Sequence, residues 1–143
     1  MKRKITFMFV VVTCLMSVLF GCTSPKEKVE KQFSSYEEMI QFGKSGGFSA
    51  VYNLDFQTEK KTMISDNSEF IKGFFEKLGS METAEIPESE ELDGGIEYLL
   101  SFETDSEAVT IGVGQDLLTS AFGQRKPTKG NACYQYIKKG TAE

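Results

Sequence analysis

Apolar positions in this chain first form one long run, then recur with a helical period, and then alternate. The run is Ile5–Phe20, interrupted by Thr6, Thr13 and Ser17 and preceded by Lys2, Arg3 and Lys4. A basic flank before an apolar stretch of this length fits a secretory signal better than a spanning helix, which needs about 20 apolar residues. Polar Thr23-Ser24-Pro25-Lys26 follows, with no stop-transfer pattern.

The helical period comes next. Ser35 and Glu38 form a capping-box pattern. Tyr36, Met39 and Ile40 make one stripe and Gly43 a stop, predicting a short helix over 35–42. Asp66 and Glu69 repeat the pattern ahead of Phe70, Ile71, Phe74, Phe75 and Leu78, with Gly79 closing. This predicts an amphipathic helix over 67–78 whose large apolar face must be covered.

Elsewhere the period is two, predicting strands. Phe48–Phe56 and Thr62–Ile64 precede the second helix, and Met81–Ile86 follows it. Further runs are Ile96–Phe102, Val109–Val113, Leu117–Phe122 and Ala132–Lys138. Short polar connections between such runs suggest an antiparallel meander. The expected fold is α+β: a sheet of about five or six strands, the 67–78 helix packed on one face, and the short N-terminal helix. Residues 23–34 read as a tether, although Val29, Phe33, Tyr36 and Ile40 also fall at helical spacing.

Leu19-Phe20-Gly21-Cys22 resembles the lipobox of bacterial lipoprotein precursors, and the resemblance covers residues 1–22. Leu19 and Gly21 match the pattern. Phe20 departs from it, because a small residue is usual there. The resemblance implies a diacylglyceryl thioether on Cys22, cleavage before it by a signal peptidase that recognises Leu19, Phe20 and Gly21, and further acylation such as palmitate. It also implies attachment to the cell membrane on the extracytoplasmic face. One acyl chain binds only marginally, so two or three on one cysteine give stable anchoring. The organisation expected is a signal peptide over 1–21, a lipidated Cys22 with its tether over 22–34, and one domain over 35–143. The helix with its paired phenylalanines, followed by a meander, resembles small uncharacterised lipoprotein domains of Gram-positive bacteria. That likeness covers residues 48–138 and implies no activity.

Removing residues 1–21 from the 143 leaves 122, enough for one domain. It also removes three basic residues and no acidic one, so the net charge moves from −5 to −8. Such a body argues against nucleic acid and against adhesion to anionic lipid. Of the three cysteines, Cys14 leaves with the signal and Cys22 is capped, so Cys133 has no partner for a disulfide within the chain. Within a strand it is expected to be a small core residue.

The chain has no histidine, which removes Ser-His and Cys-His pairs and imidazole metal sites. Glu88, Glu90, Glu91 and Asp93 cluster beside Gly94-Gly95; they suit a divalent cation, or simply a solvated acidic loop. The spacing does not match an EF-hand. Sequence offers many carboxylates for glycosidic cleavage but no pair at a visible separation. Gly112-Val113-Gly114 lacks the rest of a phosphate loop and reads as a close-packed strand. Arg125, Lys126 and Lys129 suit a solvated hairpin loop or an anionic wall polymer. Tyr134 and Tyr136 share one face of the expected last strand and offer a contact surface if that face is solvated.

The expectation is therefore a membrane-anchored, non-catalytic binding or accessory module of the cell envelope, without a cofactor. Its partner would be an envelope protein or wall polymer. The other class kept open is a small carboxylate-dependent metal-binding protein or hydrolase.

Overall fold

A computed structural model describes residues 28–87 and 95–141. The signal, Leu19, Phe20, Gly21 and Cys22 lie outside the described residues, as does the acidic cluster Glu88, Glu90, Glu91 and Asp93. In chain order the elements are β1 (Val29–Glu30), α1 (Tyr36–Lys44), β2 (Ala50–Leu54), β3 (Lys61–Ser65) and α2 (Ser68–Ser80). There follow β4 (Thr83–Ile86), β5 (Tyr98–Glu103), β6 (Glu107–Val113), β7 (Leu118–Ser120), β8 (Gly123–Pro127) and α3 (Ala132–Thr141). The fold is mixed helix and sheet, as expected, with three helices and an open sheet of eight strands.

Seven strands run in the order β3-β2-β5-β6-β7-β8-β4, each antiparallel to its neighbours. β1 lies parallel to the first two residues of β6, on the edge that β7 occupies farther along. Register assigns the two faces. Val51 opposes Phe102, which opposes Val109, and all three are buried. On the other face Ala50 opposes Glu103, which opposes Ala108, while Tyr52 opposes Ser101, which opposes Thr110.

All three helices cover the first face. Met39 and Ile40 of α1, Ile71, Phe74, Phe75 and Leu78 of α2, and Cys133 and Ile137 of α3 join one core with Val51, Leu100 and Phe102. Phe48, Phe75 and Phe102 pack with ring centroids 4.7–5.7 Å apart, within the range of favourable aromatic pairs. Gly43, read from sequence as a stop, lies inside α1 and lets the helix approach α2. A Cβ there would sit 2.2 Å from the Phe75 ring.

Four expectations are corrected. Residues 28–34 are not a free spacer: the Val29 amide donates to the Ser106 carbonyl at 3.2 Å and the Lys31 amide to that of Ala108 at 2.9 Å. Asp66 does not cap α2; the Asn67 side chain accepts from the Glu69 amide at 2.9 Å. The basic segment 124–131 is not all loop, because Gly123–Pro127 pairs with both β7 and β4. Its polar residues suit a strand near the sheet's rim.

The fourth is Ala132–Lys138, which is helical rather than extended. Asn131 accepts from the Tyr134 amide at 3.0 Å, and Lys138 and Lys139 occupy the last turn. These are helix start and stop signals. Cys133, Tyr134 and Ile137 are buried at i, i+1 and i+4, so one short segment satisfied both periods. Packing on α2 selected the helical one.

Candidate functional site

Because the three helices of the described residues all lie on one side, no described helix covers the opposite face of the sheet. Its centre is a charged cluster built on β5. Glu103 falls on this open face by strand alternation, yet only 2% of its side chain is exposed. Three donors converge on it. Lys61 Nζ lies 2.6 Å from Oε2, Lys28 Nζ 3.0 Å from Oε1, and Ser101 Oγ donates to Oε2 at 3.0 Å. Lys28 also donates to the Thr104 carbonyl at 2.7 Å.

Each donor has a local cause. Ser101 and Glu103 are two residues apart on one strand, so they share a face. Lys61 starts β3 opposite Leu54, and its long stem reaches across β2. Lys28 is delivered by the pairing of β1 with β6. Burial alone would raise the pKa of Glu103; hydrogen bonds from Lys61, Lys28 and Ser101 outweigh it and hold the carboxyl below its ordinary value.

Beside this cluster is an open groove of about 430 Å³, walled by Leu54, Phe56, Leu99 and Ala108 and bounded by Lys28 and Lys61. Phe56, in the turn after β2, is 58% exposed, and Met63, which opposes Tyr52 from β3, is 51% exposed. Lys61 Nζ lies 5.5 Å from the Tyr52 ring centroid. The result is an apolar rim around a neutralised carboxylate. A lone carboxylate held ionised by two ammonium groups is poorly suited to proton transfer near neutral pH. The nearby Asp55 is occupied too, accepting the Gln57 and Thr58 amides at 2.8 and 2.9 Å, which lower its pKa.

The residues singled out from sequence lie elsewhere. Tyr134 and Tyr136 are on α3, on the helical side, and not on one solvated strand face. Tyr134 is buried and donates its hydroxyl to Glu97 at 2.6 Å; that bond, with burial, pushes its pKa up to about 12. Tyr136 donates to the Phe70 carbonyl at 2.8 Å and stacks on that ring. Cys133 is wholly buried, and burial pushes its thiol up to about 12. Arg125 and Lys129 pair with Glu85 and Glu82, at 3.3 and 3.1 Å. Gly112 and Gly114 are close-packed: a Cβ on Gly114 would sit 2.1 Å from the Gly95 carbonyl oxygen.

A second open cleft, of about 570 Å³, lies between the start of α1 and the edge strand β4. Arg125 lies over the Tyr36 ring there, 4.2 Å from its centroid, and the buried Tyr36 hydroxyl has no hydrogen-bond partner among the described residues. Burial raises that hydroxyl to about 12, partly opposed by Arg125.

The Lys28–Glu103–Lys61 cluster had no readable signature. Alternation put Glu103 on a solvent face, and Lys28 belonged to an expected tether. Among the described residues no three His, Cys, Asp or Glu side chains are grouped to hold a metal ion, and no helix is long and apolar enough to cross a membrane. Comparison with protein-family models, with curated proteins and with solved structures finds no match to this chain.

Proposed function

We propose that this protein is a lipid-anchored, extracytoplasmic binding module that holds an envelope protein against the open face of its sheet. The observation that carries the proposal is the segregation of the three described helices to one face, which leaves the other with a groove lined by exposed Phe56 and with exposed Met63 opposite Tyr52 on β3. Large apolar side chains clustered on a solvated face mark contact surfaces more often than isolated ones do. The anchor rests on Leu19-Phe20-Gly21-Cys22 and the basic and apolar segments before it. The role is non-catalytic, a reading supported by the one carboxylate buried among the described residues, which two lysines neutralise.

Two experiments test the proposal. Cys22→Ala is expected to block precursor processing and release the protein from the membrane fraction; unchanged processing and fractionation would sink the anchor. A photoreactive residue replacing Phe56 in the lipidated protein is expected to form a discrete adduct in intact cells. Met63→Ser in the same chain should weaken it. No adduct at Phe56, with the protein folded and membrane-bound, would sink the contact surface.

A further inference from the structure

We infer that the anchor arm is about half its apparent length, and that the domain stands with its β5–β6 turn toward the bilayer. The inference rests on lipidation of Cys22. The sequence offers a dozen residues, 23–34, as spacer. The structure takes back those from Lys28 onward. Lys28 is fixed by the Glu103 carboxylate at 3.0 Å and the Thr104 carbonyl at 2.7 Å, and β1 is fixed by the amides of Val29 and Lys31. Only residues 23–27 remain between Cys22 and this latch. Six Cα steps span at most about 20 Å.

Direction follows from register. β1 runs parallel to β6 and begins opposite Glu107. The chain therefore enters the sheet beside Thr104–Ser106, the turn joining β5 to β6. That turn must lie within the arm's reach of the lipid. The Asp55–Lys60 turn lies at the opposite end, because Leu54 opposes Leu99 while Ala50 opposes Glu103. Strands then run away from the bilayer, and the groove faces sideways, toward proteins standing in the same membrane.

Fluorescent labels on Ser106→Cys and Gln57→Cys test this in the lipidated protein, bound to phosphatidylcholine vesicles carrying a headgroup-linked energy acceptor. Cys133 is wholly buried and does not compete for the label. The two positions differ by roughly one strand length, about 20 Å, so transfer from Ser106→Cys is expected to exceed that from Gln57→Cys at least about twofold. Equal or reversed transfer, with the protein still sedimenting with vesicles, overturns the orientation and leaves the anchor standing. Failure to sediment overturns the anchor and this inference with it. The latch is read separately by hydrogen exchange. The Val29 and Lys31 amides are expected to exchange at least about tenfold more slowly than an open chain, and open-chain rates overturn the short arm. Lys28→Glu, which sets like charges together, should bring the two transfer values toward equality; an unchanged ratio overturns the latch.

Discussion

Glu103 is the residue on which the open face turns. It is buried on the side of the sheet that strand alternation assigns to solvent, and two lysines and a serine satisfy it. Its folded pKa is lowered, so near its titration the native state binds fewer protons than the unfolded chain does. The resulting stabilisation is fully present above the unfolded carboxyl value, about 4.3, and is lost as pH falls through the folded value. Glu103→Gln removes the charge but keeps the shape. It is expected to cost about 1–3 kcal/mol near neutral pH. Urea melts across pH should show the gap from the native protein closing as the medium becomes more acidic than pH 4. A gap independent of pH would mean that the lysines do not hold the carboxylate charged. Nothing in the linear sequence brings Lys28, Lys61, Ser101 and Glu103 together. Their convergence needs four strand pairings, β3 with β2, β2 with β5, β5 with β6 and β6 with β1, and Lys28 bonds Thr104 across 76 residues.

Among the elements, α1 was legible because cap and apolar stripe agreed, and α2 because its stripe did, although its cap is Asn67 and not Asp66. Ser35 caps α1 through the Glu38 amide at 3.1 Å, and the Ile71, Phe74, Phe75, Leu78 stripe is buried as its spacing required. The final segment was not legible. Tyr134 and Tyr136 alternate as a strand would, while Cys133 and Ile137 repeat as a helix would. The deciding contacts are tertiary. Cys133 packs under the Phe74 carbonyl with Sγ at 3.8 Å, and Asn131 Nδ2 donates to the Gly114 carbonyl at 2.7 Å while its Oδ1 caps the helix. Asn131→Ala is therefore expected to destabilise the protein by about 1–2 kcal/mol, measured by chemical denaturation. Asn131→Asp keeps the cap and should recover part of the loss. A strand at this position would need no cap and would show neither effect.

The described residues form one sheet with all three helices on one side, and β1 pairs with its interior strand β6. A chain beginning at Gln32 loses β1, the Lys28–Glu103 pair and the Lys31 ammonium that sits 4.6 Å from the Phe42 ring centroid. Its urea midpoint is expected to fall by the equivalent of about 2 kcal/mol or more, counting roughly 1 kcal/mol for each backbone hydrogen bond lost. If 23–34 were only a spacer, the midpoint would not move. By itself the sequence determined what depends on near neighbours: the apolar run ahead of Cys22, two amphipathic helices, and alternating strands that make an antiparallel sheet. Those patterns are set by residues within a few positions of one another. It did not determine the fate of Val29–Glu30, Gly123–Pro127 or Ala132–Thr141. These segments are short or polar and carry two compatible periods, so their state is set by the partner that buries them. Tertiary structure alone decided that the helices share one side. That choice turns the Glu103 cluster, and the exposed Phe56 and Met63 beside it, into a surface.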